Sequence, residues 1–260
     1  MAIGSGPFGF FRREKPLALV PFAEAKPRSF GGLLCDGVVV LNPGSFAALL
    51  EVQARLQAER PDMRVLLTLN DRAQAEYTSG HAVDTHDLDV VAGEAFSDRP
   101  PEFAVRLANL RAKAEGVGMP RGVLDWETSG DDNDPVTINR DPEAALRIDR
   151  EKDSLAQFVP VNEAADALAA MPNGYFASDL DPMQSLALAR HLEAEYGLGL
   201  FGIGASVLGF RRAAVMDGAV AVRLARDVAD FYAGAPSGAV EALAALLAGR
   251  DWLLLRYTES

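Results

Sequence analysis

The sequence predicts an α/β fold in which a unit of strand, strand, helix and strand occurs twice. Two pairs of short segments are each separated by 139 residues, namely Leu19-Val20-Pro21 with Phe158-Val159-Pro160, and Asn42-Pro43 with Asp181-Pro182. Two predicted helices then end on similar residues at a separation of 136, Leu56-Gln57-Ala58-Glu59 and Leu192-Glu193-Ala194-Glu195. These separations indicate an internal duplication in which about one helical turn has been lost.

The first unit follows from hydrophobic periodicity. Strands are predicted at residues 17–22, 38–41 and 64–69, the last apolar at consecutive positions as in a strand buried on both faces. Residues 45–58 carry apolar side chains at helical spacing. Ser45 is a good N-cap for this helix, and Pro61 stops it.

The middle of the chain is more polar and predicts the domain organisation. Residues 70–99 form a long polar stretch that we interpret as loop or strand, and 101–115 predict a further helix. Residues 128–153 are acidic and rich in Pro and Asn, which is typical of a linker. We therefore predict a first α/β repeat with an N-terminal arm at 1–127, an acidic linker at 128–153 and a second repeat at 154–260.

The second unit has the more regular pattern. Asp181 can cap a helix over 182–196, with Pro182 in its first turn, where a missing N–H costs nothing. The small residues 204–206 predict a tight hairpin between two strands. The predicted strands are 156–161, 175–177, 200–203, 207–210 and 252–257, and the predicted helices are 164–170, 182–196, 217–232 and 238–247.

Composition limits the classes of partner. The chain has 260 residues, 49% of them hydrophobic and 24% charged, which is typical of a globular protein. Its formal net charge of −12 argues against nucleic acid and anionic membranes, because either polyanion would be repelled over most of the surface. If the protein has a protein partner, we expect that partner to be basic.

The single cysteine and the N-terminus indicate a cytoplasmic protein. Cys35 excludes an intramolecular disulfide and a thiolate zinc site, and its apolar surroundings favour a packed thiol. No run approaches the roughly 18 apolar residues of a membrane span. In residues 1–15 the basic residues follow the apolar patch, the reverse of a secretory signal, so we expect a cytoplasmic arm.

One stretch of the second unit resembles an uncharacterised bacterial α/β domain family. The matching residues are Val159-Pro160-Val161, Gly174-Tyr175-Phe176, Asp181-Pro182, Glu195-Tyr196-Gly197 and Leu200-Phe201-Gly202-Ile203. The chain departs from the family where that family usually has tryptophan and asparagine in the turn, since Tyr175 and Phe176 stand there. The resemblance implies an α/β fold, and it implies no activity and no catalytic residue.

A cluster of histidine and aspartate is the sharpest candidate for chemistry. Two of the three histidines, His81 and His86, lie with Asp84 in a stretch of nine residues. Neutral imidazole and carboxylate suit zinc, iron or manganese, and a loop can wrap such ligands around one ion. His81, Asp84 and His86 are therefore the candidate metal ligands, although a solvated acidic loop explains the same pattern.

Other motifs predict neither a catalytic residue nor a cofactor. The glycines at 4–9 match a dinucleotide fingerprint in letters, but no strand precedes them. Neither Ser178 nor Ser206 lies in a nucleophile elbow, and the aspartates at 131–134 lack the glycine and glutamate of a calcium loop.

Three hypotheses for function follow from this pattern. The first is a non-catalytic module that binds another protein through a sheet edge or its acidic face. The second is a small-molecule binder or sensor with a pocket between the two repeats. The third is a metal-dependent hydrolase that uses His81, Asp84 and His86. Strand order, oligomeric state and the identity of any partner stay open.

Overall fold

The computed structural model describes residues 15–25, 33–91, 100–127, 134–148 and 153–258. The strands are β1 (Ala18–Pro21), β2 (Gly37–Leu41), β3 (Arg64–Thr68), β4 (Leu124–Asp125), β5 (Asp153–Val159), β6 (Gly199–Ile203), β7 (Val207–Arg211), β8 (Tyr232–Ala233) and β9 (Trp252–Arg256). The helices are α1 (Phe46–Glu59), α2 (Arg72–Thr85), α3 (Phe103–Lys113), α4 (Pro135–Arg140), α5 (Pro142–Ala145), α6 (Pro182–Tyr196), α7 (Gly218–Phe231) and α8 (Ala239–Leu247). A 3-10 helix covers Ala165–Ala170.

Seven strands form one mixed sheet in the order β1-β2-β5-β3-β6-β7-β9, which confirms the α/β prediction. β3 and β6 are parallel, and the remaining neighbours in this sheet are antiparallel. β4 and β8 form a small separate parallel pair. Because β3 and β6 run in the same direction, their carboxyl ends meet at one edge of the sheet.

Helices cover both faces of the large sheet. On one face, buried residues of α2, α3, α6, α7 and α8 form a core with β-strand residues such as Leu66, Val159 and Phe210. On the other face, α1 packs through Phe46, Leu49 and neighbouring residues against a second core. The sheet therefore separates two apolar cores, as in a three-layer architecture. None of the helices in the described ranges is long and apolar enough to span a bilayer.

Local capping signals explain where the predicted helices begin. The Ser45 hydroxyl accepts from the Ala48 N–H at 3.1 Å, and α1 starts at the next residue. Asp181 and Gln184 form a reciprocal capping box at the start of α6. α6 ends before Gly197, whose φ of 66° is the left-handed conformation typical of a helix C-terminus. The structure confirms both helices and the hairpin of β6 and β7.

Strands from both predicted repeats lie in the same sheet. β5 lies between β2 and β3, and Ala156 stands opposite Val38 on one side and Leu67 on the other. The two parts of the chain thus share one continuous sheet. Residues 128–153 stay a prediction as a domain boundary.

The predicted strand at 175–177 is wrong, and the second unit therefore lacks a counterpart of β2. Residues 176–179 form a turn, closed by a 2.9 Å hydrogen bond from the Asp179 N–H to the Phe176 carbonyl. Gly174 precedes this turn with a φ of 102°, and a Cβ there would lie 1.8 Å from the Leu180 carbonyl oxygen. The backbone at Gly174 admits glycine alone, so the chain bends where the apolar pattern favours a strand.

The described part of the predicted acidic linker is folded. Asp134 caps α4 and Asp141 caps α5, and each helix carries proline in its first turn. Ile138 is 1% exposed and Leu146 is fully buried, so this segment contributes to the core around α1. Its aspartates are helix caps, which explains an acidic composition without disorder. Residues 128–133 and 149–152 lie outside the described ranges.

The polar stretch predicted as loop or strand contains α2. Its buried residues are Ala75, Thr78, Ser79, Ala82 and Val83, which is helical spacing with small side chains. A face of alanine, serine and threonine gives little hydrophobic contrast, so the apolar periodicity that reveals other helices is missing here. The candidate metal ligands consequently lie on a helix and at its end.

Candidate functional site

The structure does not bring His81, Asp84 and His86 together around one point. His81 and Asp84 lie within α2, and His86 is the residue that ends it. A helix turns about 100° per residue, so Asp84 lies on nearly the same face as His81, while His86 points well away from both. Among residues of the described ranges, no three His, Cys, Asp or Glu side chains are grouped to hold a metal ion.

His81 belongs to an exposed row of aromatic rings. Its ring stacks on Tyr175 with centroids 4.8 Å apart and contacts the edge of Tyr77 at 4.4 Å. Tyr175 in turn contacts Phe176 at 5.2 Å. We call these four residues the aromatic row. Tyr77 is 59% exposed, Phe176 42% and Tyr175 39%, so apolar rings are held at the surface.

One end of this row borders a cleft at the carboxyl ends of β3 and β6. The cleft has a volume of about 830 Å³. We call it the interstrand cleft. Its lining comes from the end of β3 and the start of α2, from α4 and α5, from the turn after Gly174, and from the hairpin of β6 and β7; the residues are Asn70, Asp71, Gln74, Thr78, Thr137, Asp141, Ala144, Ala145, Arg147, Phe176, Asp179, Ala205 and Ser206.

A hydrogen-bond network fixes the part of the cleft formed by β3 and the hairpin. The Asn70 side-chain amide donates to the Ser206 hydroxyl at 3.0 Å, and the Ala205 N–H donates to the Asn70 carbonyl at 3.0 Å. The Tyr257 hydroxyl donates to the carbonyls of Gly204 and Ala205 at 2.8 Å each. Burial, together with the charge of Asp179, raises the pKa of Tyr257 well above its ordinary value, so this hydroxyl stays a donor.

Two aspartates in the lining are held by hydrogen bonds from backbone N–H groups at helix N-termini. Asp71 Oδ1 accepts from the Gln74 N–H at 3.1 Å, and Asp141 Oδ1 accepts from the Ala144 N–H at 3.0 Å. Neither carboxylate forms an ion pair with another residue of the described ranges. The cleft therefore presents negative charge that the described protein does not neutralise.

The lining also contains strained backbone. Four non-glycine residues of the described ranges have positive φ, and Asp71 (37°) and Arg147 (52°) both line the cleft. Such conformations cost on the order of 1 kcal/mol each and are concentrated at functional sites. Asp71 stands between β3 and α2, so its conformation sets how the chain leaves the strand and enters the helix.

A second cavity, of about 480 Å³, lies against another part of α2. It is lined by Tyr77, Asp84, Asp89 and Arg106 among other residues. Arg106 binds both oxygens of Asp89 at 2.7 Å, so these two charges neutralise each other. We call it the paired cavity.

Cys35 and His191 have structural roles. Cys35 is buried, and burial raises the pKa of its thiol to about 12, so at neutral pH it is not a nucleophile. His191 lies on α6 and makes a 2.9 Å contact with Asp227 Oδ2, and the Tyr196 hydroxyl donates to the same oxygen at 2.7 Å. Both contacts join α6 to α7.

The interstrand cleft is not predicted from the sequence, although short motifs mark two of the helices that line it. The Asp-Pro pair that predicts the start of α6 occurs again at Asp134-Pro135 and Asp141-Pro142, where α4 and α5 begin. The closure of the cleft has no local signal, since Asn70 and Ser206 are 136 residues apart.

The fold and this cleft define an α/β protein with a polar recess at the carboxyl ends of β3 and β6. No protein-family model, no curated protein and no solved structure matches the chain. The resemblance of residues 159–210 to a bacterial domain family stays a prediction.

Proposed function

We propose that this protein binds a small polar molecule in the interstrand cleft. The observation that carries the proposal is a recess of about 830 Å³ whose lining includes the carboxylates of Asp71 and Asp141, neither in an ion pair within the described ranges. Ligand pockets typically have volumes of about 300–1,000 Å³. Charged groups that line such a recess without a counter-charge are suited to a bound molecule.

The position of the cleft supports the same proposal. Ligands of open α/β sheets commonly bind at the carboxyl ends of strands. Here these ends are β3 and β6, the parallel neighbours of the large sheet. Residues from both predicted repeats and from α4 and α5 line the cleft, in agreement with the hypothesis of a pocket between the repeats.

Native mass spectrometry of the protein purified from its own cell tests this function. We expect a copurified small molecule, and we expect Ala144→Trp to lose it, because this exposed alanine of α5 lines the cleft and an indole there would take up part of the space for a ligand. Ala112→Trp is the matched control, since Ala112 is an exposed alanine of α3 that does not line the cleft.

Either of two results contradicts the proposal. One is a wild-type protein that carries no small molecule and gains no thermal stability from a metabolite extract of the same cell. The other is a copurified molecule that the Ala144→Trp variant retains at the same occupancy as the Ala112→Trp variant.

The aromatic row favours a second function, the binding of a protein. Tyr77, Tyr175 and Phe176 keep between 39% and 59% of their surface exposed, and aromatic residues are enriched in protein interfaces. Asp84 follows Tyr77 and His81 on the same face of α2, and the chain carries a net charge of −12. A partner segment that presents arginine or lysine side chains fits these rings and charges.

Affinity purification with matched variants tests the second function. We expect a partner that binds the wild type and Val215→Ala but not the double variant Tyr77→Ala/Tyr175→Ala. Val215 is 61% exposed and apolar, so its substitution controls for the loss of exposed hydrophobic surface in general. A partner that binds all three proteins equally contradicts the proposal, as does a partner whose binding segment is acidic.

A further inference from the structure

We infer that the ligand of the interstrand cleft is a small organic cation with several N–H donors. This inference rests on the proposed function and names the chemical class of the molecule. Three features of the lining carry it, namely its charge, the state of its hydrogen-bonding groups and the aromatic ring at its border.

The described part of the lining carries a net negative charge. Its charged residues in the described ranges are three aspartates, Asp71, Asp141 and Asp179, and one arginine, Arg147. The two capping aspartates are held in place by backbone N–H groups, so their carboxylates need no further ordering when a ligand binds. A bound cation gains from these charges, whereas a bound anion meets repulsion from them.

The hydrogen-bonding groups favour a donor-rich ligand. The Thr78 hydroxyl donates to the Gln74 carbonyl at 2.9 Å, and the Thr137 hydroxyl donates to Asp134 Oδ2 at 2.5 Å. The hydrogens of both threonines are thus used within the protein, and toward the cleft these hydroxyl oxygens can act only as acceptors.

The described side chains of the lining offer fewer donors than acceptors. The donors are the amide of Asn70, which already donates to Ser206, the Ser206 hydroxyl, the amide of Gln74 and the guanidinium of Arg147. Gln74 and Arg147 are exposed, whereas the carboxylates of Asp71 and Asp141 are held at helix N-termini. A ligand that donates hydrogen bonds through an ammonium or guanidinium group matches these fixed acceptors.

The aromatic row adds to the attraction for a cation. Phe176, at one end of that row, lines the cleft and is held in the turn fixed by the Phe176 N–H bond to Asp179 Oδ2 at 3.2 Å. An aromatic face attracts ammonium and guanidinium groups, and the effect grows where water is excluded.

A double variant removes the charge and keeps the fold. In Asp71→Asn/Asp141→Asn the asparagines still cap α2 and α5, because Asn and Asp are equivalent N-caps. Asn also tolerates the positive φ of residue 71. The matched control is Asp217→Asn, which makes the same exchange at the N-cap of α7, outside the lining of the cleft.

Three compounds with the same four-carbon chain serve as probes: putrescine as the dication, butanediol as the neutral diol and succinate as the dianion. We expect calorimetry and amide NMR to show putrescine binding to the wild type and to Asp217→Asn, with shifts at residues that line the cleft. The affinity of Asp71→Asn/Asp141→Asn should fall by about tenfold or more, and added salt should weaken binding to the wild type.

The inference fails if putrescine does not bind at millimolar concentration, if butanediol or succinate binds the cleft as tightly, or if the double variant keeps its affinity. These failures differ from a failure of the proposed function. A cleft that binds succinate, or a copurified anion displaced by Ala144→Trp, leaves the cleft as a binding site and removes only the cationic class.

Discussion

The interstrand cleft and the paired cavity both lie against α2, but they differ in whether their carboxylates are paired with a cation. In the paired cavity, Arg106 is 5% exposed and holds both oxygens of Asp89 at 2.7 Å. Arg72 similarly holds Glu76 at 2.7 Å. In the cleft, Asp71 and Asp141 accept backbone N–H groups and keep their net charge. The charged pair of the paired cavity stabilises the protein. The two capping carboxylates of the interstrand cleft have no charged partner within the described ranges.

The cost of the two arrangements is also different. A bidentate pair between arginine and carboxylate satisfies two donors and two acceptors, so its burial is compensated within the protein. The cleft contains residues with positive φ at Asp71 and Arg147, and the buried side-chain oxygen of Asn70 has no hydrogen-bond partner among the described residues. Each of these features lowers stability.

The strongest effect on stability is expected from breaking the pair in the paired cavity. Asp89→Ala leaves the guanidinium of Arg106 buried without its carboxylate, and we expect the free energy of unfolding to fall by about 3 kcal/mol. Urea unfolding monitored by circular dichroism measures the change. The double variant Asp89→Leu/Arg106→Met should recover most of this loss, because it removes both charges.

The matching change in the cleft provides the comparison. Asp141→Asn removes one carboxylate and keeps the cap of α5, so we expect a change in the free energy of unfolding of at most about 0.5 kcal/mol. If Asp89→Ala and Asp141→Asn destabilise the protein equally, the distinction between paired and unneutralised carboxylates is incorrect.

The second largest effect is expected at Gly204, beside Asn70 in the cleft. A Cβ at this position would lie 1.9 Å from Asn70 Oδ1 and 2.6 Å from the Asn70 backbone nitrogen. Gly204→Ala should therefore destabilise the protein by about 2 kcal/mol and disturb the end of β3. Chemical denaturation measures the first effect, and ligand affinity of the folded variant measures the second.

Gly80 is the control for this substitution. It lies within α2, and a Cβ there would have nothing within 4 Å. Gly80→Ala should stabilise the protein by about 1 kcal/mol, because alanine favours the helix more than glycine does. If Gly204→Ala stabilises the protein, Asn70 can move away from the added methyl group at little cost, which contradicts this prediction.

The parts of this fold that the sequence predicts are those with local signals. Ser45 and Asp181 mark the starts of α1 and α6, and the small residues 204–206 mark the hairpin of β6 and β7. Capping residues, proline and turn residues act within a few positions of the chain. A single sequence therefore contains the information for these elements.

The parts of the fold that the sequence does not predict depend on contacts between distant residues or have little hydrophobic contrast between the faces of a helix. The hydrophobic face of α2 consists mainly of Ala75, Thr78, Ser79 and Ala82, so its periodicity is hidden in a polar composition. The insertion of β5 between β2 and β3 depends on strand pairing, which no short pattern specifies. The cleft combines both difficulties, because its walls come from α2, from α4 and α5, and from the hairpin of β6 and β7, which lies more than a hundred residues from α2.

Gln157 is a buried amide outside the cleft, and its substitution tests what an unpartnered polar group costs in stability. Gln157 in β5 is fully buried, and neither its side-chain oxygen nor its nitrogen has a partner among the described residues. It does not line the cleft. Gln157→Met keeps the shape and removes the unsatisfied groups, so we expect the protein to gain about 1 kcal/mol in unfolding experiments.

Asn70 is expected to respond in the opposite direction. Asn70→Leu breaks the bond to Ser206 and should destabilise the protein by about 1 kcal/mol, besides removing any ligand binding. If Gln157→Met also destabilises the protein, the buried amide of β5 has a hydrogen-bond partner of its own.

A smaller effect than those at Asp89 and Gly204 is expected at Asp227, a carboxylate nearer the surface that is hydrogen-bonded to His191 and Tyr196. Burial alone raises the pKa of this carboxyl, but the hydrogen bonds from Tyr196 and His191 outweigh it and lower the pKa below its ordinary value. A carboxyl with a lowered pKa in the folded state contributes stability above its unfolded pKa, and this contribution is lost as the pH falls through the folded value.

Tyr196→Phe removes the hydrogen bond from Tyr196 to Asp227. Its effect on the free energy of unfolding should depend on pH, because the charge of Asp227 does. At neutral pH we expect a loss of about 0.5 kcal/mol in the free energy of unfolding, reduced because Asp227 is about one quarter exposed. The difference between the variant and the wild type should shrink in acid, where Asp227 is protonated and the bond from Tyr196 no longer stabilises a charge. A difference that stays constant from neutral to acidic pH would assign the effect to packing of the tyrosine ring.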